Sequence, residues 1–424
     1  MSYTPQAWVD GSGGGTPLSA ARLNYIETGL QTAAAVADSA VASGGGTTAA
    51  AYGRVLLDSY TGTDDDKLDS ALTYAAAQTY PPTITLTNRQ YTFSTPNRAF
   101  FDGLRMCGPI GAGNAERLGQ TKMGCRVHLS GLASSWFTMT GSTSYYGVHF
   151  ENMAFTGGST SWMWGQGSGT GSLRNPTLRN VSAVNLRTFL GSQSAKLLVT
   201  SPTFDGFWNV NAHYEGAIHI GGSGEGILWP NGGIFDNGTP AYQVTYSSTG
   251  QACIWLDGFE LANVGPIFVT CESGWEGLRI SGAAYNTSTS NNGGPVDVWG
   301  ATFEGRNAST PCYGSVARVI GGIAVFNSCK FLHGLSSAST MGHTPTDAGL
   351  VDVQSSAETR FRDCHFDRYT GQAETVPMVY VRSGNALISG AIKGSKGGTW
   401  TGLPRVQAVS PGTLTADATV TVIP

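Results

Sequence analysis

The 424-residue chain is short of charge. Asp, Glu, Lys and Arg make up 12% of it, against ~25% of a typical globular domain. So few charged positions leave little to solvate the outer faces of helices, which argues against a helical enzyme. Lysine is scarcest, with six residues against eighteen arginines. No cluster of Lys or Arg exceeds two neighbours, and the net charge is −4, so nucleic acid is not expected as a partner. No apolar run is long enough to span a bilayer, so membrane insertion is not expected either. Met1-Ser-Tyr-Thr-Pro lacks the basic and apolar regions of a secretory signal, and no export leader is expected. The seven cysteines (Cys107, Cys125, Cys253, Cys271, Cys312, Cys329 and Cys364) form no CxxC pair, which leaves a zinc site unsupported. They read as buried thiols of a chain that folds in a reducing cytoplasm. A serine nucleophile elbow, an HExxH helix and a Walker loop are also missing. Gly111-Ala-Gly113-Asn-Ala-Glu116 half-matches a dinucleotide fingerprint but follows no βαβ pattern. No metal and no cofactor are expected.

What is abundant is glycine, 59 residues, about twice the usual share. Ser, Thr and Asn take the place of charge. Hydrophobic residues at 40% suffice for a core, so disorder is not the default. The profile is that of an all-β, repetitive chain.

A glycine loop after Trp8 ends at Thr16, a good helix N-cap, and Pro17 suits the first helical turn. Apolar residues then fall at Leu23, Ile26, Leu30, Ala33, Ala37 and Ala40. The alternating spacing of three and four fits a short seam between chains, or a surface helix packed on its own domain. Residues 41–53 read as a linker. Leu68, Ala71, Leu72 and Ala75 share one helical face. Asp64, Asp65 and Asp66 at the start of that helix could suggest a metal site. Capping and the helix dipole explain them better.

A loose repeat follows: an apolar residue, one of any kind, a turn-tolerant residue, two of any kind, then a large apolar residue. Its instances end at Phe155, Phe204, Phe303, Phe331 and Phe366, and a form one residue short ends at Ile392. Stacked coils would align these residues into interior ladders and satisfy the strand edges. The middle residues (Asn152, Ser201, Gly300, Ser328, Asp363 and Gly390) are predicted to take the strained dihedrals of the turns between strands. Cys329 and Cys364 share one repeat position and read as a stack of small residues. The expected fold is all-β: a right-handed parallel β-helix over residues 54–395, with its own N-terminal capping helix. A short helical segment over 1–40 precedes it, and β strands cap its end over 396–424.

The string Trp8-x-Asp10-Gly-x-Gly-Gly-Gly-Thr16-Pro17-Leu-Ser-Ala-Ala-Arg-Leu23-Asn-x-Ile26-Glu-x-Gly resembles the N-terminus of minor tail proteins of actinobacteriophages, over about the first 30 residues. The Gly62-x-Asp64-Asp65 helix start resembles the opening of pectate-lyase-like tail spikes. The resemblance implies attachment to a tail tip or baseplate through Trp8, Asp10, Thr16, Pro17, Leu23 and Ile26. It further implies a homotrimer, a place on the distal tail of a virion assembled in the host cytoplasm, and a host surface glycan as partner.

Two kinds of residue are candidates for handling sugar. A glycosidase needs paired carboxylates facing one groove, and the acids densest near one coil are Asp257, Glu260, Glu272 and Glu276, with Asp205, Glu215 and Asp236 on preceding coils. Solvated loop acids and salt-bridge partners are the bland alternative. Trp208, Trp229, Trp255 and Trp275 are the candidate aromatic platforms, since a β-helix interior prefers Val, Ile and Leu. Filling of corners or subunit interfaces is their alternative. His213 and His219 flank Glu215 but lack ligand spacing. The leading expectation is a tail spike or fibre that binds envelope glycan. A depolymerase tail spike is second and a stand-alone polysaccharide lyase third.

Overall fold

The computed structural model describes Thr28, residues 53–109, and residues 124–205 apart from 159, 185, 193 and 194. Further on it describes 208–209, 218–221, 227–231, 233–237, 252–258, 262–271, 276–281, 295–307, 315–335, 351–354, 358–368, 379–381, 385–389, 391–393, 406–408, 413–416 and 421–423. The tail-attachment candidates Trp8, Asp10, Thr16, Pro17, Leu23 and Ile26 lie outside these residues, as do Glu215, Glu260, Glu272 and Trp275. The chain divides into two compact units, one of Met1–Thr87 with Leu104–Cys107, the other of the remainder.

In the first unit three short strands, Arg54–Leu56, Thr83–Thr85 and Arg105–Cys107, pair in parallel. Register aligns Val55, Ile84 and Met106, all fully buried. Helix α1 (Asp64–Ala76) buries Leu68, Ala71, Leu72 and Ala75, the face expected from their spacing. Thr63 caps it: its hydroxyl accepts from the Asp66 N–H, and Asp66 Oδ2 accepts from the Thr63 N–H at 2.9 Å. The Thr63 hydroxyl and N–H bonds hold the Asp66 carboxyl below its ordinary range. Asp66 therefore closes a capping box with Thr63.

The second unit is a right-handed parallel β-helix. Every strand pairing given for it is parallel, and successive strands align with little slippage. One face is a single sheet. Ten described strands follow one another along it, from Ser135–Met139 through Ala252–Asp257 and Glu276–Ser281 to Val406–Ala408. The other strands of each coil run in pairs joined by a tight corner, such as Pro295–Trp299 with Thr302–Asn307.

The corners fall where the repeat predicts. Asn152, Ser201, Gly300, Ser328 and Asp363 have φ of 56°, 48°, 60°, 52° and 52°, the left-handed region that Gly, Asn and Asp tolerate best. Three of these corners also bond the next coil: the N–H of Gly300 donates to Asn327 O, that of Ser328 to Arg362 O, and that of Asp363 to Ser389 O. Asn180 (φ 49°) continues the series and donates its side-chain amide to Asn152 Oδ1 at 2.6 Å. Gly390 lies outside the described residues.

Aromatic ladders on either side of these corners fill the interior. Phe303, Phe331 and Phe366 stack with centroids 5.5 and 5.0 Å apart, and Phe326 and Phe361 stack at 5.4 Å. Cys329 and Cys364 stack as free thiols, each donating to a carbonyl of the preceding coil. The Cys329 contact and burial push the Cys364 thiol up.

One expectation changes. The first coils accept aromatic side chains inside: Trp136 and Trp164 are buried among Phe93, Phe100, Phe137, Phe150 and Phe155. Edge-to-face packing makes such wide rings good filler. In addition, strands Val406–Ala408, Thr413–Ala416 and Thr421–Ile423 pair in parallel on Val379–Val381, Asn385–Ser389 and Ala391–Lys393. These strands lie within residues 396–424, the segment expected to cap the β-helix.

Candidate functional site

On the single-sheet face, from Ile218–Gly221 onward, two inward apolar residues flank one outward residue on each strand, as strand alternation requires. Ile218, Ile254, Leu278, Ala317, Val351 and Val379 form one interior column, and Ile220, Leu256, Ile280, Val319, Val353 and Val381 the next. Between them, on the side away from the interior, register aligns His219, Trp255, Arg279, Arg318, Asp352 and Tyr380. This outward row is polar, yet all but the half-buried Trp255 are buried.

Asp257, Lys196, His219, Trp255 and Ser281 form one end of the site. Lys196 Nζ lies 3.0 Å from Asp257 Oδ2. The Ser281 hydroxyl donates to Asp257 Oδ1 at 2.9 Å and accepts from the Trp255 indole N–H at 2.7 Å. His219 Nε2 is 3.7 Å from Asp257 Oδ2. Its Nδ1 faces the Ser192 carbonyl, which only accepts, so the Nδ1 proton is fixed there. Burial pushes the Asp257 carboxyl up, but the approach of the His219 ring, the Lys196 ammonium with its charge and the Ser281 hydroxyl outweigh it. The pKa falls to about 2. Gly221 makes the approach possible, because a Cβ there would run into the Lys196 stem and the Asp257 carbonyl.

Glu276 sits at the other end. Both Gly277 N–H and Leu278 N–H donate to Val316 O at 3.1 Å, a doubling that resets the alternation. The Glu276 carboxylate accepts from Arg279 Nε at 2.6 Å and from Arg318 Nη1 at 2.7 Å. Arg318 Nε is 3.5 Å from Asp352 Oδ2, which also accepts from Gln354 Nε2 at 2.7 Å. The result is a chain of alternating charges across three coils. Its burial makes it costly to break at any one member.

The structure places Asp257 and Glu276 on adjacent strands but not as a pair. Ala252 is the register partner of Glu276, and Asp257 lies five residues further, about 16 Å along the strand. A glycosidase pair stands ~5–9.5 Å apart, and both carboxylates are already engaged by cations. Trp255 is likewise occupied: His219 stacks on it at 3.9 Å and 6°, and the Arg279 guanidinium lies 4.5 Å from its centroid. These two residues come from the coils before and after, so they cover opposite faces of the indole. Trp229 pairs by register with Val264, and Trp208 with Ser182. Asp205 is held by Arg179 at 3.2 Å, and Asp236 pairs by register with Thr270. Among the described residues no three His, Cys, Asp or Glu side chains gather to hold a metal.

Sequence reasoning passed over Lys196, Ser281, Arg279, Arg318 and Asp352. One signal was present. The tripeptides Ile-His219-Ile, Ile-Trp255-Leu, Leu-Arg279-Ile, Ala-Arg318-Val, Val-Asp352-Val and Val-Tyr380-Val are one motif with a varied centre.

No known protein family and no curated protein matches the chain. Three solved structures are similar over 87% of it. The mannuronan C-5 epimerase A-module of Azotobacter vinelandii is 12% identical with a TM-score of 0.44, and 99% of its length is covered. An Acinetobacter phage tailspike protein is 9% identical with a TM-score of 0.39. Tailspike protein 3 of bacteriophage CBA120 is 11% identical with a TM-score of 0.34. The chain spans 60% and 61% of these two tailspikes. At such scores the likeness carries no argument, and the fold rests on strand register.

Proposed function

We propose that this chain is a subunit of a bacteriophage tail spike or tail fibre that binds host cell-envelope glycan. The observation that carries the reading is the in-register stack of coils, which repeats outward rows of side chains every ~4.8 Å and so offers a polymer of repeating sugars a repeating surface. The N-terminal string supports attachment to a tail tip or baseplate, through Trp8, Asp10, Thr16, Pro17, Leu23 and Ile26. The assembly is a homotrimer on the distal tail of a virion assembled in the host cytoplasm. Trp208, Trp229, Trp255 and Trp275 are proposed glycan contacts, with Trp255 limited to its edge. Asp257, Glu260, Glu272 and Glu276 are the acids a depolymerase would draw on. The engagement of Asp257 and Glu276 by cations favours binding over hydrolysis.

The test is incubation of the whole chain with purified envelope polysaccharide of the host, reading both retention and reducing ends. Retention without reducing ends is expected. Release of reducing ends would establish the depolymerase instead, and absence of retention would remove the glycan reading. Phage carrying a deletion of residues 1–40 are expected to lack the subunit. Normal incorporation would show the anchor to lie elsewhere.

A further inference from the structure

The two-strand face of the β-helix carries a second outward row, formed by Trp299, Asn327, Arg362 and Ser389 in consecutive coils. Trp299 is 52% exposed. Arg362 is exposed as well. Between them Asn327 is only 5% exposed, and its side-chain Nδ2 is buried with no hydrogen-bond partner. Val325, two residues earlier on the same strand and side, is also 5% exposed. Asn327 and Val325 are therefore covered, and Trp299 and Arg362 are the open members of the row.

The two open side chains stand two coils apart, about 9.6 Å between their backbones at ~4.8 Å per coil, and their chemistry suits a sugar ring. An indole face takes the C–H groups of a pyranose, a guanidinium donates to ring hydroxyls, and the orphaned amide is a donor whose desolvation goes uncompensated until an acceptor arrives. Asp297, on the coil of Trp299, adds an acceptor for hydroxyl protons. Burial pushes its carboxyl up, and the nearby Arg362 charge opposes this.

We infer that Trp299, Asn327 and Arg362 form a pyranose-binding subsite on the two-strand face, with Trp299 as the stacking platform. This rests on the glycan-binding reading above and moves its principal contact from the single-sheet face of Trp255 to the two-strand face. The probe is an array of purified bacterial cell-envelope oligosaccharides, applied to the whole chain and to Trp299→Ala, Trp299→Phe, Asn327→Leu, Arg362→Ala and Trp255→Ala. Trp299 is a surface residue, so Trp299→Ala is expected to fold, as circular dichroism would verify. Affinity for the bound glycan is expected to fall tenfold or more in Trp299→Ala and several-fold in Arg362→Ala and Asn327→Leu. Trp299→Phe is expected to retain most of it. Unchanged affinity in Trp299→Ala, with loss in Trp255→Ala, would overturn the inference and leave the glycan reading standing. Failure of the unaltered chain to bind any member of the array would overturn both.

Discussion

Asp257 shows how little a carboxylate's presence says about its role. Acid density around residues 256–276 is legible in the sequence. What Asp257 does is set by Lys196, His219 and Ser281, which reach it from 61, 38 and 24 residues away. Its pKa near 2 lies below the ordinary ~3.9 of an aspartate. A depressed folded-state pKa contributes stability that is present above the unfolded value and is lost as pH falls through the folded one. Asp257 therefore stabilises the fold above about pH 4 and ceases to do so by about pH 2. Asp257→Asn is expected to lower stability at pH 6 and to lose less than the unaltered chain on acidification to pH 2. Urea denaturation at the two pH values measures both. An identical pH dependence in the two proteins would mean that Asp257 is not held this way.

At the scale of the element, the corner between paired strands is the informative unit. A non-glycine residue at φ near +52° pays a steric cost for its Cβ, and Asn, Asp and Ser meet it with short polar side chains that bond locally. Asp363→Val is expected to destabilise the fold by about 1–2 kcal/mol, while Asp363→Gly is expected to be tolerated at little cost. Thermal or urea unfolding of the two variants reads the difference directly. Equal losses would indicate that the carboxylate, and not the backbone, governs the corner. Helix α1 is equally local in origin: its cap and its buried face follow from residues 63–75 alone.

For the β-helical unit as a whole, each coil contacts mainly its neighbours, so stability is close to a sum of coil and interface terms. Phe331 stacks on both Phe303 and Phe366. Phe331→Ala is expected to cost about 3–5 kcal/mol and to open the structure from that coil outward. Hydrogen exchange should show protection falling first in strands 302–307, 330–335 and 365–368 and last in the coils around Trp136. A uniform loss across all coils would mean that the unit unfolds as one block.

Much of the fold was written locally. The repeat with its turn-tolerant centre marked Asn152, Ser201, Gly300, Ser328 and Asp363 as corners, because a left-handed dihedral is a demand that a single residue meets by itself. Alternation of apolar and other residues marked the strands for the same reason. The site was not local. Trp255 beside Asp257 looked like a sugar platform until register brought His219 and Arg279 against both faces of its ring. Glu276 looked like a catalytic acid until Arg279 and Arg318 closed on it. Trp299 stood out from the other tryptophans only once its exposure and the buried, unpartnered amide of Asn327 were seen together. The sequence by itself determined that the chain coils, and where it turns. Which outward side chains meet was decided by the tertiary structure alone, because coil lengths vary and only the closed register aligns residues tens of positions apart.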